Sequence, residues 1–171
     1  MIPVSRLDSF IRRLQAQRAC LELAADLVGS LDGEVLELGL GNGRTYDHLR
    51  KLFPHRKIYV CERTVAAHPD CVPPSGLLLL GDMRATLPAA SSRLAGRVVL
   101  AHLDAGNGEI EASKVLADEV TPLIVPLLRL NGVMVSEPVV TAAELSPLPL
   151  PGGVEPGRYN LYRRISCRSL P

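Results

Sequence analysis

Glu34-Val35-Leu36-Glu37-Leu38-Gly39-Leu40-Gly41-Asn42-Gly43-Arg44 is the stretch that decides the fold. Residues 34 to 38 read as a short apolar strand that runs straight into three alternating glycines. Such a turn leads from a strand into a helix. Glycine adopts positive φ freely and lets another group approach the backbone with no Cβ in the way. A tight turn needing glycine only for its own geometry has the same composition. The surrounding sequence separates the two readings.

Upstream, Ser5 to Val28 reads as one amphipathic helix, with Leu7, Phe10, Ile11, Leu14, Leu21, Ala24, Ala25 and Val28 on one stripe. Ser5 with Asp8 makes a capping-box start and Gly29 a stop. Downstream, Arg44 to Leu52 reads as a helix ended before Pro54. Further strands are expected at Lys57 to Cys61, Gly76 to Leu80, Arg97 to Leu103 and Gly132 to Ser136. Arg84 to Leu94 is a short helix or irregular connection. Glu109 to Leu130 is a long helical stretch, kinked or split by Pro122 and Pro126, which lack a backbone donor. Pro138, Pro147, Pro149, Pro151 and Pro156 suggest a surface loop, followed by a last strand from Arg158 to Ile165.

Strands alternating with helices imply an α/β fold with a doubly wound, mostly parallel sheet. The 171 residues fit a single domain. Its parts are an N-terminal helix (1–29), a cofactor-binding core (34–137) and a Pro-rich loop with a final strand (138–171). The net charge of +1 exerts no global pull toward nucleic acid or an anionic membrane. Aromatics are scarce, which disfavours a base-stacking surface. Arg12, Arg13, Arg18, Arg163, Arg164 and Arg168 read as solvated surface, with a site for an acidic substrate or partner as the sharper alternative. Cys20, Cys61, Cys71 and Cys167 form no CxxC pair, so buried thiols in a reducing cytoplasm are expected. Arginines interrupt any signal-peptide core, and no apolar run is long enough to span a bilayer. A soluble cytoplasmic protein is expected.

In doubly wound sheets the ligand crevice lies outside the carboxyl ends of the strands. Glu62, Asp82 and Asp104 all stand just past an expected strand. The glycine spacing is Gly-x-Gly-x-Gly, whereas the dinucleotide fingerprint would need its third glycine at Arg44. Glu37 sits two residues before the first glycine. A carboxylate there gives a pyrophosphate nothing, but suits a ligand carrying an ammonium and a sulfonium. Glu62 can accept from both hydroxyls of a ribose. Asp82 can accept from an adenine amine with Met83 against the ring, or can cap the following helix.

The run Val35 to Gly43 resembles motif I of class I S-adenosylmethionine-dependent methyltransferases. Glu62 and Gly81-Asp82 match that family's acidic ends of strands two and three. Leu127 to Val133 resembles its approach to strand five, with Leu130-Asn131 in place of Pro-Gly. The likeness runs from about Glu34 to Glu137, and a small, poorly characterised bacterial subgroup is the nearest in kind. The resemblance implies that Glu37, Gly39, Leu40, Gly41, Asn42 and Gly43 hold the methionine portion of S-adenosyl-L-methionine. Glu62 and Arg63 would take the ribose; Gly81, Asp82 and Met83 would take the adenine. His102, Leu103 and Asp104 would face the methyl group, with Asp104 and His102 the candidate catalytic residues. S-adenosyl-L-homocysteine would be the product.

Methyl transfer from a sulfonium is an in-line displacement in which the protein mainly orients and dries the site. Asp104 with Asn107 is too little for a metal site, so no metal is expected. The segment Leu103 to Gly108 lacks both the Asn-Pro-Pro-Tyr type of motif used on DNA bases and a cysteine nucleophile. A small-molecule acceptor is the remaining expectation. Two other readings compete: a non-catalytic S-adenosylmethionine-binding module, and an NAD-dependent oxidoreductase, which Glu37 and the glycine spacing disfavour. Against the family's usual closing hairpin, only one strand is legible after the Pro-rich stretch. The sheet edge is therefore expected to be abbreviated or paired in a homo-oligomer, with the N-terminal helix as lid, cover or contact.

Overall fold

Strand β1 (Glu34–Leu38) is buried along its whole length and lies at the centre of a seven-stranded sheet. The computed structural model describes residues 4–105 and 109–166. Around β1 the elements are α1 (Arg6–Val28), α2 (Arg44–Leu52), β2 (Ile58–Glu62), a single 3-10 turn (Pro69–Cys71), β3 (Leu78–Leu80), α3 (Met83–Leu94), β4 (Val98–Leu103), α4 (Ile110–Ile124), β5 (Leu128–Ser136), β6 (Leu145–Pro147) and β7 (Asn160–Arg164). The strand order is β3-β2-β1-β4-β5-β7-β6, with only β7 antiparallel to its neighbours β5 and β6. The chain winds outward from β1 to β3, then returns to start again at β4. The reversal between β1 and β4 opens a crevice at their carboxyl ends, where ligands of such sheets bind.

Each sheet face buries its own core. Leu36, Leu38, Ala101 and Leu103 point to the face covered by α3 and α4, where Leu87, Leu94, Val120 and Ile124 meet them. Val35, Val60, Leu100 and Val135 point to the face covered by Leu21, Ala24 and Leu49 of α1 and α2. Alternation along a strand therefore sends Glu37 toward α1, together with His102 of β4, its partner in the parallel register.

The Ser5 hydroxyl caps α1 by accepting from the Asp8 N–H at 3.0 Å, and donates to the Asp8 carboxylate. Only the half from Ala16 to Val28 packs on the sheet. Leu7, Phe10 and Ile11, expected on the buried stripe, are exposed. The helical stretch expected to run to Leu130 stops at Ile124, and β5 begins four residues before Gly132. Asn131 takes a left-handed conformation, φ 67°, and the register slips between the Val98–Leu128 and Leu100–Val133 pairs. Asparagine tolerates that region, so Leu130-Asn131 makes the bend without a glycine.

The expected abbreviation of the sheet is corrected. Strand β6 lies within the Pro-rich stretch and pairs with β7, so both closing strands are present, although β6 has only three residues. Pro147 hid it from the sequence. A proline is tolerated there because β6 is the edge strand, where one side needs no donor. Of the sequence features noted above, Gly106, Asn107, Gly108, Cys167 and Arg168 lie outside the described residues.

Two of the three turn glycines are required by packing. A Cβ at Gly39 would stand 2.7 Å from the Asp104 carbonyl oxygen, and one at Gly43 would stand 2.4 Å from the Cys71 Cβ. Gly43→Ala is expected to destabilise the fold by about 1–3 kcal/mol through positive φ and this clash. Thermal denaturation checks this, and an unchanged melting temperature contradicts it.

Candidate active site at the carboxyl ends of the strands

A cleft of about 560 Å³ opens over the β1–β4 crevice, with Gly39, Gly41, Glu62, Asp82, Met83 and Asp104 in its walls. Unlike its neighbours, Gly41 has nothing within 4 Å of a built Cβ, at φ +51°. Its backbone is presented to open space. That is the geometry of a surface kept clear for a ligand.

The loop holds this shape because Glu62, at the end of β2, binds it from below. One carboxylate oxygen accepts from the N–H groups of Leu40 at 2.8 Å and Gly41 at 3.1 Å. The other accepts from Arg63 at 2.6 Å and Thr64 at 3.1 Å. Burial alone would push the Glu62 carboxyl up, but the four N–H donors outweigh it and hold the group below its ordinary range. The carboxylate's four acceptor directions are all engaged. Asp82 caps α3 through the Arg84 N–H at 2.9 Å, and its side chain also takes Arg84 at 3.0 Å. The Arg84 N–H, more than any loss of water, holds the Asp82 carboxyl below its ordinary range. Arg63 and Met83 line the cleft beside it.

Behind the glycine loop lies a buried polar chain. Glu37 and His102 are both fully buried, with Oε2 2.7 Å from Nδ1. Glu37 Oε1 is buried with no partner among the described residues. The other ring nitrogen, Nε2, stands 3.5 Å from Gln17 Nε2 of α1, and the ring stacks on Tyr159. Gln17 donates onward to Asp104 Oδ2 at 2.7 Å. The same oxygen accepts from the Tyr159 hydroxyl at 2.8 Å and from Arg13 at 3.3 Å. Oδ1 has no hydrogen-bond partner among the described residues, and Asp104 lines both the cleft and a second cavity. Burial pushes the Tyr159 hydroxyl strongly up, and Asp104 adds to it. Burial also raises the Glu137 carboxyl, with Asp104 adding and Arg13 opposing.

The sequence-predicted residues are thus divided. Gly39, Gly41, Glu62, Arg63, Gly81, Asp82, Met83 and Asp104 line one cleft. Glu37 and His102 are sealed behind it, and Leu103 packs its side chain into the α3–α4 core. The Leu40 side chain is core as well, and only its N–H serves the loop. Asn42, in the turn before α2, accepts from the Arg44 N–H. Gln17, Arg13, Tyr159 and Glu137 were not foreseen, and Arg13 had been read as solvated surface. The one available signal was Arg13-x-x-x-Gln17, a polar pair at helical spacing between apolar stripe positions.

A doubly wound sheet with an open glycine turn at its switch point defines a nucleotide-cofactor domain. A model of the S-adenosyl-L-methionine methyltransferase family matches residues 4–164. An S-adenosyl-L-methionine methyl transferase from Silicibacter pomeroyi DSS-3 is 49% identical, with 95% of this chain and 99% of that chain covered and a TM-score of 0.90. Human methyltransferase-like protein 13, solved in complex with SAH, shares the fold at 14% identity, with 88% and 81% of the chains covered and a TM-score of 0.56. No curated protein sequence matches the chain. The chain belongs to the S-adenosyl-L-methionine methyltransferase family. Of the three readings of the sequence, the enzyme that uses this cofactor stands, and the nicotinamide reading falls. The residues present fit the cofactor: Gly41 stands open at the loop's crest, with Glu62, Asp82 and Met83 in the walls around it.

The Glu37–His102 pair makes stability depend on pH. Burial disfavours the imidazolium, but Glu37 and then Asp104 outweigh it and raise the His102 pKa. A group that binds its proton more tightly when folded stabilises fully below its unfolded pKa of about 6.5 and loses that contribution as pH rises through the folded value. Burial raises Glu37 as well, which acts in the same direction. Melting temperatures of the wild type and of the double variant Glu37→Gln, His102→Gln should therefore differ most in wild type's favour at mildly acidic pH. A gap that widens toward alkaline pH contradicts this.

Proposed function

We propose that this methyltransferase acts on a small-molecule acceptor, bound in the cavity that shares Asp104 with the cofactor cleft. Asp104 carries the reading: among the described residues it is the one side chain common to the two cavities, and its Oδ2 is fixed by three donors. S-adenosyl-L-methionine, when bound, supplies a methyl group on an electrophilic sulfonium. Gly39, Gly41 and Gly43 bring the loop backbone to it. Gly81, Asp82 and Met83 form the adenine side of the cleft, and Asp82 keeps its capping role. A ribose on Glu62 and Arg63 shares the Glu62 carboxylate with four backbone donors, so Glu62 acts first by shaping the loop. Glu37 is sealed behind the loop and supports it from there, paired with His102. Leu40, Asn42 and Leu103 act through the backbone they fix.

Asp104 Oδ1 orients the acceptor's hydroxyl or amine for in-line attack and takes its proton where one must leave. His102, without an exposed atom, works as a positioning residue through Gln17 rather than on the acceptor. Cys20, Cys61 and Cys71 are all unpaired thiols, which supports a reducing, cytoplasmic location. No helix among the described residues is long and apolar enough to cross a membrane. Self-association, where it occurs, would use the exposed Leu7, Phe10 and Ile11 of α1, since β6 occupies the sheet edge.

Gly41→Val is expected to abolish S-adenosyl-L-methionine binding in calorimetry while the far-UV circular dichroism stays native. A native-like affinity would refute the role of the turn. Glu62→Ala should weaken cofactor binding at least tenfold, and more than Asp82→Ala. Glu62 positions four N–H groups, whereas Asp82 caps α3 from the solvent side of the cleft. The reverse order contradicts the assignment.

A further inference from the structure

The second cavity also holds about 560 Å³, and its walls include Arg13, Asp104, Ser113, Glu137 and Arg158. Its two guanidinium groups meet different partners. Arg13 Nη1 stands 3.3 Å from Asp104 and 3.7 Å from Glu137, between two carboxylates. Arg158 meets one carboxylate, at longer range. It donates from Nη1 to the Ser9 hydroxyl at 3.3 Å, and its Nε stands 3.8 Å from an exposed Glu155. A guanidinium carries five donors, and among the described residues only Nη1 and Nε of Arg158 meet a partner. Its side chain is only 32% exposed. A partly desolvated guanidinium with spare donors matches an oxyanion in two-point geometry.

At the opposite end of the cavity stands Asp104, whose Oδ1 meets no donor among the described residues. The two ends are tied together by the chain itself, because Tyr159, the residue after Arg158, bonds Asp104. Glu137 and Glu109 line the same space. Their charges penalise a multiply charged anion and leave room for a single negative charge seated on Arg158.

We propose, on the reading that this cavity takes the acceptor, that the acceptor is a small hydroxy acid or amino acid. Its carboxylate sits on Arg158 and its hydroxyl or amine meets Asp104 Oδ1. In the transfer, the acceptor's oxygen or nitrogen lone pair forms the bond to the methyl carbon. The carbon–sulfur bond breaks, its electron pair stays on sulfur and cancels the sulfonium charge, and the acceptor's proton passes to Asp104 or to water.

The test uses small hydroxy and amino acids, each paired with its carboxamide: 4-hydroxybenzoate, β-alanine and their homologues. Ligand-observed NMR with the adenosylhomocysteine-loaded protein measures binding, and adenosylhomocysteine formation from adenosylmethionine measures turnover. At least one acid should bind tenfold or more tightly over its amide and be methylated. Arg158→Gln should remove that preference, raising KM more than it lowers kcat. Arg158→Lys should restore part of it. Equal binding of acids and amides, tighter binding of a matched phosphate monoester, or a preference indifferent to Arg158→Gln overturns the proposal. Calorimetry with adenosylmethionine on the same samples separates the failures. Intact cofactor binding confines a failure to the acceptor class, and absent binding in wild type sinks the proposed function itself.

Discussion

The parallel pairing of β1 with β4 is the constraint on which the site depends. It sets Glu37 beside His102 across the register and Leu38 beside Leu103. It therefore brings the glycine turn that leaves β1 against the segment that leaves β4. The contact is close enough that Gly39 admits no Cβ against the Asp104 carbonyl. A slip of one residue between the two strands would put Glu37 and His102 on opposite faces, leaving one of them in the α3–α4 core without its partner. Fold and site are specified by the same pairing.

Two carboxylates stiffen the crevice from opposite sides. Glu62 gathers four backbone N–H groups and fixes the glycine loop. Asp104 gathers a glutamine, a tyrosine and an arginine onto one oxygen, and its other oxygen meets no donor among the described residues. Such charge-assisted hydrogen bonds are roughly twice as strong as neutral ones, and they hold the site in shape before a ligand arrives. Helix α1 is part of this arrangement and not merely a cover, since Arg13 and Gln17 reach from it to Asp104.

Much of this was legible in the sequence, and the remainder was not for identifiable reasons. The run from Glu34 to Gly43 fixed the first strand, the turn and the family, because an apolar run ending in spaced glycines has few alternatives. Glu62, Asp82 and Asp104 could be placed because parallel strands deliver their last residues to one edge. Strand β6 was hidden by Pro147, whose lack of a donor matters only in a central strand. The start of β5 was hidden by a register slip at Asn131 that no periodicity reveals. Gln17, Tyr159 and Arg158 come from segments distant in sequence that only the tertiary fold assembles. The sealed positions of Glu37 and His102 follow from the face they share with α1, which depends on strand order rather than on motif.

The central claim is that the methyl group is passed across the β1–β4 crevice, from the glycine turn to Asp104. A crystal structure with S-adenosylhomocysteine tests it most directly. The account predicts a ligand lying over Gly41, its adenine toward Asp82 and Met83 and its sulfur directed at Asp104 and the cavity beyond. A ligand bound elsewhere, or one whose sulfur points away from Asp104, would contradict it.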